Sequence, residues 1–162
     1  MPTVAEHLRG KGLEFEVIPH AQAYTSVEEA RALGISADEV LKSVAVKTAS
    51  GYALAVVPGT RRLDMRRVRD AVGDHHARLA TEEELERDFA DFELGGLPPL
   101  GSLLGVSMYV DPEVMDHDVV VFAAGKQTES VRMRREDLLR AEPHTVAPLS
   151  RHPEEEEGEP AP

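Results

Sequence analysis

The sequence predicts an α+β domain of about six strands interspersed with short helices, and three observations carry that prediction. Two β-branched runs, 43–47 and 52–57, flank Thr48-Ala49-Ser50-Gly51, a hairpin signal. Further short apolar or alternating runs stand at 15–18, 77–80, 105–110, 119–123 and 130–133, several of them neighbours in sequence. Between them lie segments that open on Thr, Ser or Asp, carry acids in their first turn and close on Gly or before Pro.

Taken in order, Thr3 with Glu6 has capping-box spacing and predicts a helix over 3–12. After the strand at 15–18, closed by Pro19, Ser26 is expected to cap a second helix that ends at Gly34. Ser36 and Glu39 repeat the box and predict a third short helix through Leu41. Beyond the hairpin, Pro58-Gly59-Thr60 is a turn and Asp64 caps a helix running to Gly73, with Met65, Val68 and Val72 as its apolar stripe. Thr81 opens another helix on Glu82–Glu84, as the macrodipole favours. Residues 94–101, LGGLPPLG, suit neither a helix nor a central strand. Residues 135–141 read as a last helix before Pro143. A folded domain over 1–142 and a Pro- and then Glu-rich disordered tail over 143–162 are expected.

Composition narrows the function. With 162 residues, 41% hydrophobic and 30% charged, the chain is an ordinary globular one. It has no Cys, which excludes disulfides, thiolate zinc sites and cysteine nucleophiles. Glu6, His7 and Arg9 interrupt any signal-like start, and the longest apolar stretch, 119–124, is too short to span a bilayer. A cytoplasmic protein with no membrane partner is expected. A net charge of −12 argues against a general nucleic-acid or DNA binder. Part of that charge is the cluster Glu154, Glu155, Glu156, Glu157 and Glu159, whereas Arg61, Arg62, Arg66, Arg67 and Arg69 crowd a stretch with one acid, Asp64. That cluster reads either as a solvated helix face or as a basic patch.

Lys42 stands at the mouth of the first hairpin strand and shares a face with Val44 and Val46. An ammonium at the rim of an apolar wall needs a partner or a purpose; alternatively, Lys42 closes the preceding helix, where a cation favours the dipole. The glycine-rich loop is the second candidate, since Gly95 and Gly96 permit close backbone approach and Pro98-Pro99 stiffens the chain beyond them. Gly125-Lys126-Gln127-Thr128 lacks the upstream glycine of a phosphate loop, Val120 standing there instead. Asp74-His75-His76 with His117 has no ligand spacing of a metal site, and no cofactor or metal is expected. No serine lies in a nucleophile-elbow pattern.

Four stretches together resemble the YbaK/ProX family of aminoacyl-tRNA deacylases, free-standing relatives of the editing domain inserted in some prolyl-tRNA synthetases. They are Ala23-Tyr24-Thr25-Ser26, Val40-Leu41-Lys42-Ser43-Val44, Gly95-Gly96-Leu97-Pro98-Pro99-Leu100-Gly101, and Val121-Phe122-Ala123-Ala124-Gly125. The resemblance covers about residues 1–141. It implies a mixed β-barrel decorated by helices, whose pocket lies between a lysine strand, here Lys42, and a GxxxP loop, here Gly95 to Pro99. It also implies hydrolysis of the ester joining a wrong amino acid to a tRNA 3′ end. An aminoacyl ester is an activated acyl group, so positioned water and donors to the developing oxyanion suffice without a protein nucleophile.

On that basis Lys42 is expected to anchor the tRNA end and steady negative charge. Backbone groups at Gly95, Gly96 and Leu97, held by Pro99, are expected to orient water or a substrate hydroxyl. Thr25, Val27, Val44, Leu97 and Gly125 are expected to border the aminoacyl group. Arg61, Arg62, Arg66, Arg67 and Arg69 are expected to grip acceptor-stem phosphates, with a partner synthetase as a second route to the tRNA. Ala- or Cys-tRNA(Pro) is the expected substrate. A non-catalytic module that binds tRNA ends, and a general esterase of small acyl groups, are the rival readings.

Overall fold

The computed structural model of the chain describes residues 1–153. Its elements in order are α1 (Val4–Gly10), β1 (Glu16–Pro19), α2 (Ser26–Leu33), a 3₁₀ turn (Ala37–Glu39), β2 (Leu41–Thr48), β3 (Gly51–Pro58), β4 (Arg62–Leu63), α3 (Met65–Val72), β5 (Arg78–Leu79) and α4 (Glu82–Asp88). Beyond these come α5 (Gly101–Leu104), β6 (Ser107–Val110), a second 3₁₀ turn (Pro112–Asp116), β7 (Val119–Lys126), β8 (Glu129–Arg134), α6 (Arg135–Ala141), β9 (Thr145–Val146) and β10 (Ser150–Arg151). The α+β class holds.

The strands form a five-stranded sheet in the order β5-β2-β3-β6-β9, a three-stranded sheet β1-β8-β7 and a two-stranded ribbon β10-β4. The expected closed barrel is corrected here. Besides these ladders the described residues add one isolated bridge, Val40 to Val121, so the sheets do not close on one another through the backbone. They meet through side chains instead. Leu41, Leu54, Val56, Met108 and Val110 of the larger sheet pack with Val120, Phe122, Val131 and Met133 of the smaller one, and Leu8, Leu100 and Leu138 seal the ends. The other face of β3 supplies Ala55 and Val57 to a second cluster with Val46, Val68, Ala77 and Leu149. Covered on both faces, β3 reads as an unbroken apolar run, whereas β8 alternates buried Val131 and Met133 with exposed Arg132 and Arg134.

The hairpin pairs Leu41 with Pro58 through to Thr48 with Gly51. Thr3 and Thr81 form their capping boxes, and Asp64 caps α3 through the amides of Arg66 and Arg67. Three local expectations are corrected. Thr25, not Ser26, caps α2, because its hydroxyl accepts from the Glu28 amide at 3.1 Å. The helix expected from Ser36 to Leu41 is a single 3₁₀ turn, since the Ser36 hydroxyl bonds Asp38 instead of a backbone amide and Leu41 already pairs with Pro58. Lys42 therefore belongs to the strand and not to a helix end. The chain also stays ordered past 142. Leu149 is fully buried, and Asp111 accepts from the Leu149 amide and the Ser150 hydroxyl at 2.9 and 2.7 Å. The rest of the expected tail, 154–162, lies outside the described residues.

Candidate active site

Three segments converge beside the first residues of β2. The chain entering α2 is pinned to the β7–β8 turn, the His20 amide donating to Thr128 O at 2.9 Å and the Ala23 amide to Gln127 O at 2.8 Å. The end of the hairpin closes on the same helix, because a Cβ at Gly59 would meet Ala37 O and Ser26 Cβ, both at 2.7 Å. Only glycine permits that approach. The third segment is the glycine-rich loop. Gly95 has φ 78°, and a Cβ there would lie 2.4 Å from Tyr24 O, so the loop rests directly on the backbone before α2.

Gly96 is buried one residue further on and bonded to Gly125, whose amide donates to Gly96 O at 2.9 Å while its carbonyl accepts from Glu93. Gln127 completes the brace by donating from Nε2 to Leu94 O at 2.9 Å.

Together they enclose a cavity of about 330 Å³ bordered by Tyr24, Thr25, Ser26, Val27, Glu29, Leu41, Lys42, Ser43, Gly59, Gly95, Leu97 and Ala123. Of the sequence-predicted residues, Lys42, Thr25, Val27, Gly95 and Leu97 border it. Gly96, Pro99 and Gly125, expected at the substrate, are buried and do not line the cavity. Val44 faces a smaller apolar recess of about 170 Å³ that shares Ser43, Gly95 and Leu97 with the cavity and is walled by Leu79, Leu85, Phe89 and Phe92.

Lys42 Nζ donates to the carbonyl of Arg61 at 3.0 Å, and among the described residues no carboxylate lies within salt-bridge distance of it. Burial, and then the nearby Arg62 guanidinium, hold its pKa below the ordinary lysine value. An ammonium has three donors, so two remain for whatever enters the cavity.

The arginine cluster divides. Arg61 donates to the Ser150 hydroxyl at 3.0 Å, Arg67 donates to Ser150 O, and Arg69 donates to Ala77 O at 2.9 Å. These three tie α3 and its approach to neighbouring segments. Arg62 and Arg66 are exposed and have no side-chain hydrogen bond or ion pair among the described residues. His117 lies 3.1 Å from Asp38, while Asp74 accepts from the His76 amide, so the histidines imagined as a metal set serve separate local contacts.

Two polar groups of the site were not singled out in the sequence. Ser43 Oγ is buried with no hydrogen-bond partner, at the junction of cavity and recess. Glu29 is 6% exposed and passes in the sequence for an ordinary first-turn acid. Its helical spacing from Ser26 and Leu33, beside buried Ala30, is the signal that places it on the inward face.

Residues 20–141 match the aminoacyl-tRNA editing domain family, and the chain belongs to that family. It is 26% identical over 111 residues, 68% of its length and 67% of the relative's, to a protein of Enterococcus faecalis assigned as the Cys-tRNA(Pro)/Cys-tRNA(Cys) deacylase EbsC. It is 31% identical over 88 residues to a proline–tRNA ligase of Thermosipho melanesiensis, a match that spans 54% of this chain and 15% of the ligase. A solved structure described as a trans-editing enzyme for prolyl-tRNA synthetase superposes with a TM-score of 0.79 at 28% identity, covering 89% of this chain and 92% of that one. No helix among the described residues is long and apolar enough to cross a membrane.

Proposed function

We propose that the chain is a trans-editing deacylase that hydrolyses the ester of a mischarged tRNA, with Ala- or Cys-tRNA(Pro) as substrate. The observation that carries this reading is Lys42, a half-buried ammonium whose one partner among the described residues is a carbonyl, set in a cavity with Gly95 and Leu97. A cation in that state interacts strongly with charge developing on an ester oxygen, because little water competes. Lys42 holds the ester oxygens or the terminal ribose, and the loop orients a water, or the substrate hydroxyl that helps activate it, so that water oxygen bonds to the carbonyl carbon. The acyl–oxygen bond breaks, the tRNA leaves with its hydroxyl, and no protein-bound intermediate forms.

The small recess beside Val44 supports a small side chain, and a pocket of this kind separates substrates differing by one methylene by about 1–3 kcal/mol. Arg62 and Arg66 reach acceptor-stem phosphates, and the kinship with proline–tRNA ligase editing regions supports delivery of the tRNA by a synthetase.

The test is release of the amino acid from Ala-tRNA(Pro), Cys-tRNA(Pro) and Ser-tRNA(Ala) by wild type and Lys42→Ala. Hydrolysis of one species, lost in the variant, is expected. Turnover that survives in Lys42→Ala overturns the role of the lysine. Absence of turnover with tRNA binding intact replaces the enzyme by a module that holds tRNA ends.

A further inference from the structure

Glu29 is a carboxylate the hydrolytic scheme does not use, yet it borders the same cavity as Lys42 while being almost wholly buried. One of its oxygens is accounted for, Oε2 accepting from the Ser130 hydroxyl. Oε1 makes no hydrogen bond among the described residues and is open to solvent, free to accept from a ligand in the cavity it borders. The two charges of the cavity do not neutralise each other, since no ion pair joins Glu29 to Lys42. The cavity thus offers an anion and a cation separately.

Behind Glu29 lies a supporting chain. His20 Nε2 is 2.8 Å from Ser130 Oγ, and His20 Nδ1 is 2.7 Å from Ala21 O. A carbonyl can only accept, so Nδ1 carries a proton. With the same number of protons the chain then has two forms. In one, a protonated Glu29 donates to Ser130, which donates to a neutral His20. In the other, an imidazolium donates to Ser130, which donates to ionised Glu29. Burial raises the Glu29 carboxyl above its ordinary value, while the Ser130 hydroxyl and the charge on His20 pull it back. Among the described residues, no other charged side chain of α2, β2 or β8 is hydrogen-bonded to the group. A cation arriving at Oε1 favours the ionised form.

We infer that Glu29 binds the α-ammonium of the aminoacyl group through Oε1, with Ser130 and His20 as the chain that orients it. This role rests on the deacylase reading and adds the feature that separates an aminoacyl ester from any other ester, its adjacent ammonium. Lys42 meets the ester end and Glu29 the amine end, so a substrate must present both to fill the site. Ester substrates without an α-amine are thereby discriminated against.

The test uses hydrolysis-resistant 3′-amino-3′-deoxyadenosine carrying an alanyl or a lactyl group in amide linkage, which differ only in ammonium against hydroxyl. Wild type is expected to bind the alanyl compound at least about 10-fold tighter by calorimetry. Glu29→Gln is expected to bind both equally, and Ser130→Ala, which keeps the carboxylate, to retain most of the preference. Equal binding of the two compounds by wild type overturns the inference whether or not the Glu29→Gln variant folds, and so does a preference that persists in folded Glu29→Gln. An alanyl preference without deacylation of any tRNA removes the deacylase reading alone, and deacylation without the preference removes only this inference.

Discussion

The protein holds two buried carboxylates, Glu142 and Glu29, that look alike by exposure and differ in how far their bonds are filled. Glu142, 1% exposed, lies where α1, α5 and α6 meet, and its oxygens accept from Lys11 Nζ at 2.8 Å, from the Ser102 amide at 3.0 Å and from the Ser102 hydroxyl, with His7 at 3.3 Å. Lys42 and Glu29 instead keep open valences towards one cavity. A saturated buried charge is a clamp that nothing else can join. An unsaturated one is stable only because a ligand or solvent completes it, which is why chemistry is sought at the second and not at the first.

The contrast is broken most directly by exchanging the losses. Lys42→Ala is expected to lower the deacylation rate by about 10²- to 10³-fold, as removal of an oxyanion donor does, while leaving thermal stability nearly unchanged. Glu142→Ala is expected to do the reverse. Leaving Lys11 and Ser102 without their acceptor costs about 3 kcal/mol in a urea titration, with the rate per folded molecule preserved. Equal effects of the two substitutions on stability would erase the distinction.

Glycines sharpen it next. Gly95→Ala forces a Cβ to 2.4 Å from Tyr24 O at positive φ and is expected to cost about 2 kcal/mol and most of the activity. Gly73→Ala, with φ 72° but nothing within 4 Å, is expected to cost about 1 kcal/mol and no activity.

Acid titration gives a further difference. Burial alone would raise Glu142, but the bonds from Lys11, Ser102 and His7 outweigh it and hold its pKa below the ordinary 4.5. The folded state therefore binds this proton less readily than the unfolded chain. The stabilisation is full above the unfolded value and is lost as pH falls through the lowered folded value. Wild type is expected to lose stability steeply below about pH 4.5, and Glu142→Gln to start less stable with a shallower slope, as followed by melts across about pH 2.5–6.

The smallest effect concerns the exposed arginines. Arg62→Ala and Arg66→Ala are each expected to reduce the salt slope of tRNA binding by about 1, whereas Arg69→Ala, whose guanidinium is spent on Ala77 O, is expected to act through stability.

The sequence carried the hairpin and the caps at Thr3, Asp64 and Thr81, because each rests on local chemistry, and it singled out Lys42 and the loop at Gly95, which the fold brings to one cavity. It did not carry β4, β9 and β10, pairs of residues too short for a period and specified only by partners far along the chain. The expected barrel came from the resemblance, and packing between sheet faces has no signature in spacing. Glu29 and Ser43 escaped because their types are common in helix starts and strands; helical spacing puts Glu29 on the inward face, but tertiary placement is what sets it against Ser130 and leaves Ser43 without a partner. The arginine cluster was legible as charge but not as allegiance, since Ser150 claims Arg61 and Arg67 from a distant segment.

That distant segment has a bearing on timing. Lys42 is steadied by the Arg61 carbonyl, Arg61 and Arg67 are held by Ser150, and Ser150 by Asp111. During synthesis the hairpin around Lys42 can form as soon as it emerges, but its anchor waits for residue 151 and the long-range pairing of β10 with β4. Until residues 150–151 have emerged, Lys42 is thus steadied by a segment whose own long-range contacts are missing, so its geometry is fixed only after the far strand is made.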